Sequence, residues 1–317
     1  MDIRDIRGLK ERARRALESA SYDPKKLILI HTGVSVALTL ILALVDGLLS
    51  QQIGHTGGLS GVGNRAILQT AQEVLLYAQL AATVFWQIGY VYISLLLLRQ
   101  KPVGPGSLLQ GFRQFGQVLR LRLMEWLMCT GMALTCLYGA AIVFDLTPWA
   151  EPFEKALEAG TEEALLQAAG EYALPLTALV AVFFLVLLVP YLYRLRMTSY
   201  LVMDHPKMGA RAAVQTSRMM MFHNRRNLLK VDLSFWWFYL LQWLLSMVAY
   251  GDQLLPLFGV EMPWSGEVGY YLCLILCCLG QVALYWWKGN EVQVTYAACY
   301  EALLPKEQEN ERISVAN

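Results

Sequence analysis

The sequence predicts an all-α, polytopic membrane protein: six transmembrane helices plus three basic amphipathic helices that lie at the membrane interface. Three observations carry that expectation. Apolar residues gather in long runs, cations are confined to alternate connections between the runs, and one basic amphipathic pattern recurs three times.

Hydrophobic residues make up 56% of the 317-residue chain and charged residues 16%, with a mean hydropathy of +0.40. Soluble domains carry roughly 25% charge. The apolar excess lies in six runs, at 27–50, 74–98, 123–146, 173–193, 233–255 and 268–287. At about 1.5 Å per helical residue, each is long enough to cross a hydrocarbon layer of roughly 30 Å. The first run starts too late and is too long for the core of a cleaved leader, so it is expected to remain as a span. Residues 1–317 then form a single transmembrane domain, with 288–317 as a C-terminal extension.

Charge orients the spans. Of the 26 Lys and Arg residues, 24 precede the first run, lie between the second and third or the fourth and fifth, or follow the sixth. The remaining connections hold only Arg65 and Lys155, and the stretch 151–171 is acidic. Basic residues mark cytoplasmic loops. Both termini are therefore expected in the cytoplasm. The six cysteines all fall in spans or the cytoplasmic extension. Cys273, Cys277 and Cys278 read as small packing residues, because no His or second Cys pair sits at a metal-ligand spacing.

The interfacial helices come next. Residues 1–22 place Ile3, Ile6, Leu9, Ala13 and Leu17 on one stripe among five arginines, and Asp23-Pro24 ends the helix. A second stripe, Leu108, Leu109, Phe112, Phe115 and Leu119, precedes the third span. The third segment is "VQTSRMMMFHNRRNLLK". Arg15, Arg113 and Arg218 occupy comparable points, 98 and 105 residues apart, as a threefold repeat of interfacial helix plus membrane hairpin would place them. In the third segment Arg211, Arg218, Arg225, Arg226 and Lys230 are expected to contact anionic lipid. Nucleic-acid binding would need aromatics interleaved with the cations or a known module. Here methionines sit among them beside a span, and no nucleic acid is expected.

The stretch from "YLYRLRMTSYLVMDHPKMGARAAV" through "QTSRMMMFHNRRNLLKVDLSFWWF" resembles the core of a bacterial, mostly Gram-positive, family of integral membrane proteins, catalogued as domain of unknown function 975. The matching positions are Asp204, Met208, Gly209, Ala210, Ser217, Arg218, Met219, Met220, Asn224, Leu233, Ser234, Phe235 and Trp237. "LKERARRAL" and "TYAACYEALL" resemble the family's ends, so the likeness covers nearly the whole chain. His205 interrupts the Asp-Pro pair, and Phe222-His223 stand where one residue and then a glycine are expected. The resemblance implies a multi-span plasma-membrane protein with no assigned activity and no catalytic residues.

Ionisable residues in mid-membrane would point to transport or a proton relay. Glu125, Asp232 and His31 fall near cytoplasmic span ends, and Asp46, Glu73 and Asp145 near outer ones. The central polar residues are neutral. Gln79, Thr83 and Gln87 form one ridge at i, i+4, i+8, and Gln242 lies in span five. Such amides either bond a neighbouring helix, at about 1 kcal/mol, or line a polar pathway. Ser35, Thr39, Ala43 and Gly47 place a small residue at every fourth position of span one, a surface for close helix approach. No hydrolase or metalloprotease motif is present. No catalytic, cofactor-binding or metal-ligating residues are expected. The expected partners are the bilayer, its anionic lipids and a membrane protein. Two functions follow: a non-enzymatic accessory or structural membrane component, or a transporter or channel for a small solute or lipid.

Overall fold

The computed structural model of the chain describes residues 3–55, 61–159, 161, 175–249 and 267–304. Regular structure among the described residues is helical. Among the described residues, five helices are long and apolar enough to cross a membrane: Pro24–Leu49, Ala66–Leu98, Phe115–Asp145, Pro175–Asp204 and Tyr271–Leu303. A sixth candidate, Arg225–Leu233 followed by Trp236–Val248, is bent by 69°. The expected span residues 173–174 and 250–255, most of the acidic connection, and 305–317 of the extension lie outside the described residues.

The chain divides into two compact units, Met1–Phe115 with Arg226–Asn317, and Gly116–Arg225. The first unit holds helices α1 (Ile6–Glu18), α2 (Pro24–His55), α3 (Gly61–Leu98), α4 (Gln110–Arg113), and the later α10 (Arg225–Leu233, whose first residue, Arg225, belongs to the second unit), α11 (Trp236–Ala249), α12 (Glu267–Leu284) and α13 (Asn290–Leu303). The second holds α5 (Phe115–Asp145), α6 (Ala150–Ala159), α7 (Val189–Leu195), α8 (Thr198–Asp204) and α9 (Ala210–Met221).

Helix α13 is the core of the first unit, although the sequence placed it in a trailing extension. It continues α12 through a π-helical turn, Tyr285–Gly289, and buries Asn290, Glu291, Val292 and every residue from Val294 to Tyr300. Helices α1, α3 and α2 pack on it. The amphipathic stripe of α1 therefore meets protein: Ile3, Leu9, Ala13 and Ala16 are buried, and Ile6 and Leu17 half-buried. Fully burying one leucine contributes roughly 2 kcal/mol, so Leu9 alone is a substantial anchor. The Asp5 carboxylate caps the helix by accepting from the Gly8 N–H at 3.0 Å.

The second expected amphipathic helix is not one helix. Pro105–Leu109 form a 3-10 turn, α4 lasts four residues, and the chain breaks at Gln114 before α5 starts. The cause is close backbone packing on α3. A Cβ on Gly89 would lie 1.8 Å from the Leu108 carbonyl oxygen, and one on Gly111 would lie 2.1 Å from that of Phe85. Only glycine at both positions permits that approach. The Phe85 ring then stacks on Phe115 at 4.7 Å and meets Phe112 at 5.5 Å.

Small residues let the long helices approach closely. Cys277 and Cys278 of α12 are buried beside Leu274 against Val36, Leu40 and Ala43 of α2. Gly47 faces the Tyr271 hydroxyl, and Gly280 faces Leu245 of α11. Away from these contacts the helices present apolar side chains outward; Ile41, Leu48 and Leu276 are 58, 61 and 66% exposed.

In the second unit, Gly139 of α5 meets the Phe183 ring. Phe184–Leu188 form a π-helical turn just ahead of Pro190. Proline supplies no N–H to the carbonyl four residues back, and a π turn accommodates that local defect. The helix then breaks at Arg196-Met197 and resumes as α8. His205 closes α8, donating its N–H to the Leu201 carbonyl at 2.9 Å. Helix α9 packs on α8 and α7 through Ala213, Val214, Ser217 and Met221.

Candidate functional site

Among the described residues, the polar groups of the long apolar helices are largely taken up by the protein itself. The hydroxyls of Thr32, Ser35, Thr39 and Thr135 donate to carbonyls one turn back. Thr83 does the same to Gln79 at 2.9 Å, so the ridge of Gln79, Thr83 and Gln87 loses its middle donor to its own helix. Among the described residues no hydrogen bond takes up the Gln79 or Gln87 amide; Gln79 is half-buried and Gln87 exposed. The Gln242 amide is capped, donating to the Tyr285 hydroxyl at 3.0 Å, and Tyr285 belongs to the π turn ahead of α13.

A denser polar cluster surrounds α13. Asn290 donates to the Pro24 carbonyl at 2.8 Å and accepts from the Tyr90 hydroxyl. His31 stacks on Tyr90 at 4.6 Å and on Trp86 at 5.7 Å, while Trp86 donates to the His31 carbonyl at 2.9 Å. The His31 Nδ1 atom is buried with no hydrogen-bond partner. Two buried or half-buried glutamates tie α1 to α13. Glu301 holds Arg12 at 2.5 Å and Arg99 at 2.8 Å, and Glu291 holds Arg14 at 2.9 Å and Lys288 at 2.6 Å. Lys10 donates to the Ser234 carbonyl at 3.1 Å and lies 3.9 Å over the Phe235 ring. Burial pushes the Lys10 pKa below its ordinary value, against the pull of Glu291. Asp232 accepts from the Tyr296 hydroxyl, whose oxygen lies 2.5 Å from that of Tyr239. None of this cluster stood out in the sequence except as isolated charges.

The basic third segment is the surface of α9 and the start of α10. Arg211, Arg218, Arg226 and Lys230 are exposed and Arg225 is half-buried. Met219 is exposed, Met208 and Met220 half-buried, and Met221 buried. Arg218 is positioned by Tyr191 of α7, donating to its hydroxyl at 3.1 Å with its guanidinium carbon 5.8 Å over the ring. Arg194 approaches the same ring at 6.0 Å. Arg194 and Arg225 each carry a buried Nε with no hydrogen-bond partner. A groove of about 350 Å³ beside this cluster is lined by Gln215, Arg218, Met219 and Phe222. Arg194 was missed in the sequence because it reads as a span-end anchor; only the turn of the chain at Arg196-Met197 brings it near α9.

The buried carboxylate of the second unit is neutralised locally. Glu125 pairs with Arg122 at 2.7 Å and accepts from the Thr198 hydroxyl, and Arg122 also reaches Ser199 at 3.2 Å. Among the described residues no three His, Cys, Asp or Glu side chains gather as a metal-binding group would require.

No family model, curated protein or solved structure matches the chain.

Proposed function

We propose that this chain is an integral plasma-membrane protein of the family catalogued as domain of unknown function 975. It crosses the bilayer six times with both termini in the cytoplasm, and it serves as a non-enzymatic accessory or structural component. The sixth span is the bent pair α10–α11. The three-hairpin plan is kept, with its middle interfacial segment broken by the Gly89–Gly111 contact.

The observation that carries this reading is the fate of the intramembrane polar groups. Span hydroxyls bond back to their own helices, Gln242 is capped by Tyr285, and Glu125 is paired with Arg122. A permeation pathway needs polar groups left open to its solute, and here most are engaged. The apolar outer faces and the tightly packed small residues suit a partner-binding membrane component. Cross-linking in the native membrane followed by purification should recover one recurring partner. A chain that comes out alone under every cross-linker would overturn the accessory role.

Arg211, Arg218, Arg225, Arg226 and Lys230 face the inner leaflet in this arrangement. Basic residues near an anionic surface contribute about 1 kcal/mol each, so the group anchors the cytoplasmic side by a few kcal/mol.

A transporter or channel remains the second reading, favoured by the unengaged Gln79 and Gln87 amides on α3. It predicts that Gln79→Leu with Gln87→Leu abolishes solute flux in proteoliposomes, whereas the accessory reading predicts no flux to abolish.

A further inference from the structure

We propose that Arg194 and Arg218, which meet at Tyr191, hold the phosphate of one anionic phospholipid together with Arg225, on which the Arg194 charge bears, with an acyl chain of that lipid along the groove of Gln215, Met219 and Phe222. This rests on the lipid-contact reading above and sharpens it from a diffuse basic surface to a single site.

The cluster brings three cations together. Arg194 and Arg218 both approach the Tyr191 ring, with guanidinium carbons at 6.0 and 5.8 Å from its centroid. The charge that bears on Arg225 is that of Arg194, a like charge. Among the described residues, no carboxylate lies within ion-pair distance of these three arginines. The Glu125 carboxylate of the same unit is already taken up by Arg122 and Thr198. Placing cations together without a counter-charge is unfavourable. Shielding the Nε–H groups of Arg194 and Arg225 from solvent without acceptors adds a penalty of about 1–3 kcal/mol per donor. Phosphate oxygens would relieve both costs, since a guanidinium fork grips phosphate with two parallel hydrogen bonds.

The groove decides which phosphate. Arg218 lines both the cluster and the groove. Beyond it the lining is Met219 and Phe222, at 64 and 65% exposed. Free phosphate has no use for that apolar floor, whereas a lipid places hydrocarbon there when its headgroup sits on the arginines. Methionine suits a mobile acyl chain because its unbranched side chain adapts to irregular surfaces.

The test uses the full chain in detergent, titrated with phosphatidylglycerol and followed by native mass spectrometry of lipid-bound species. Thermal unfolding of each variant serves as the folding control. The wild type should take up one phosphatidylglycerol saturably and bind phosphatidylcholine far more weakly. Arg194→Gln should weaken the bound lipid about tenfold or more, while Arg15→Gln, which removes the same charge from the exposed pair with Glu11 in α1, should change it less than about twofold. Arg194→Lys keeps the charge and the fold but loses the planar fork, and should weaken binding as well. Equal losses for Arg194→Gln and Arg15→Gln would overturn the site and leave diffuse attraction standing. Equal uptake of phosphatidylcholine and phosphatidylglycerol by the wild type would overturn both. Binding of inorganic phosphate as tight as that of the lipid would overturn the groove's role.

Discussion

The hydroxyl of Ser217 donates to the Arg194 carbonyl across 2.8 Å and accepts the Met197 N–H at 3.3 Å. Ser217 is fully buried on α9, and the two backbone groups flank the break between α7 and α8. One side chain thus satisfies both ends of an interrupted helix, and through Arg194 it ties that break to the proposed lipid site. Ser217→Ala leaves a buried N–H and carbonyl without their partner and should cost about 1–2 kcal/mol. Thermal unfolding in detergent should show a lowered midpoint. An unchanged midpoint would mean that the break holds without this hydroxyl.

Glycine substitutions should split sharply by position. Gly89→Ala and Gly111→Ala drive a Cβ into the Leu108 and Phe85 carbonyls, at 1.8 and 2.1 Å, and backbone on both sides leaves little room to relax. Each should cost about 2–3 kcal/mol or more, the range of severe overpacking. Gly116, in α5, has open space around it. Gly116→Ala should stabilise by up to about 1 kcal/mol through helix propensity. Denaturation midpoints of the three variants measure the contrast directly, and similar shifts for all three would contradict the close packing of α3 against the 3-10 turn.

The contact between α1 and α13 should be coupled, not merely crowded. Arg12 and Arg99 share the Glu301 carboxylate at 2.5 and 2.8 Å, with Glu301 largely shielded and Arg12 partly exposed. A double-mutant cycle of Arg12→Ala and Glu301→Ala should give a coupling of about 0.5–1 kcal/mol, discounted for exposure and falling as salt rises. The same cycle with Arg15, whose exposed partner is Glu11 within α1, should give a coupling near zero between Arg15 and Glu301.

What the sequence made legible is what depends on sums along the chain. Six apolar runs anticipate five long helices and one bent pair, and the small ridge through Ala43 and Gly47 faces α12 as close approach requires. The stripe of Leu9 and Ala13 identified an apolar face on α1, but periodicity cannot say whether lipid or protein covers it. Helix α13 was hidden for the opposite reason: buried nearly all round, "NEVQVTYAACYEAL" has no polar face to mark it as a helix in a core. The break after α4 depends on Gly89 and Gly111, and Arg194 reaches Tyr191 and α9 only after the turn at Arg196-Met197. Each is a long-range contact that no local pattern encodes.

The central claim is that this chain spans the plasma membrane six times with its basic connections inside. Single cysteines introduced into the full chain at Gly58, Gly160 and Gly259, and at Gly106 and Gly209, can be probed in intact cells with a membrane-impermeant maleimide. Gly106 and Gly209 have open space about them and accept a side chain, and the six native cysteines, all free, set the background. The account predicts labelling of intact cells at positions 58, 160 and 259, and labelling at 106 and 209 only after permeabilisation. One position on the opposite side would contradict the topology, and with it the placement of the arginine site against the inner leaflet.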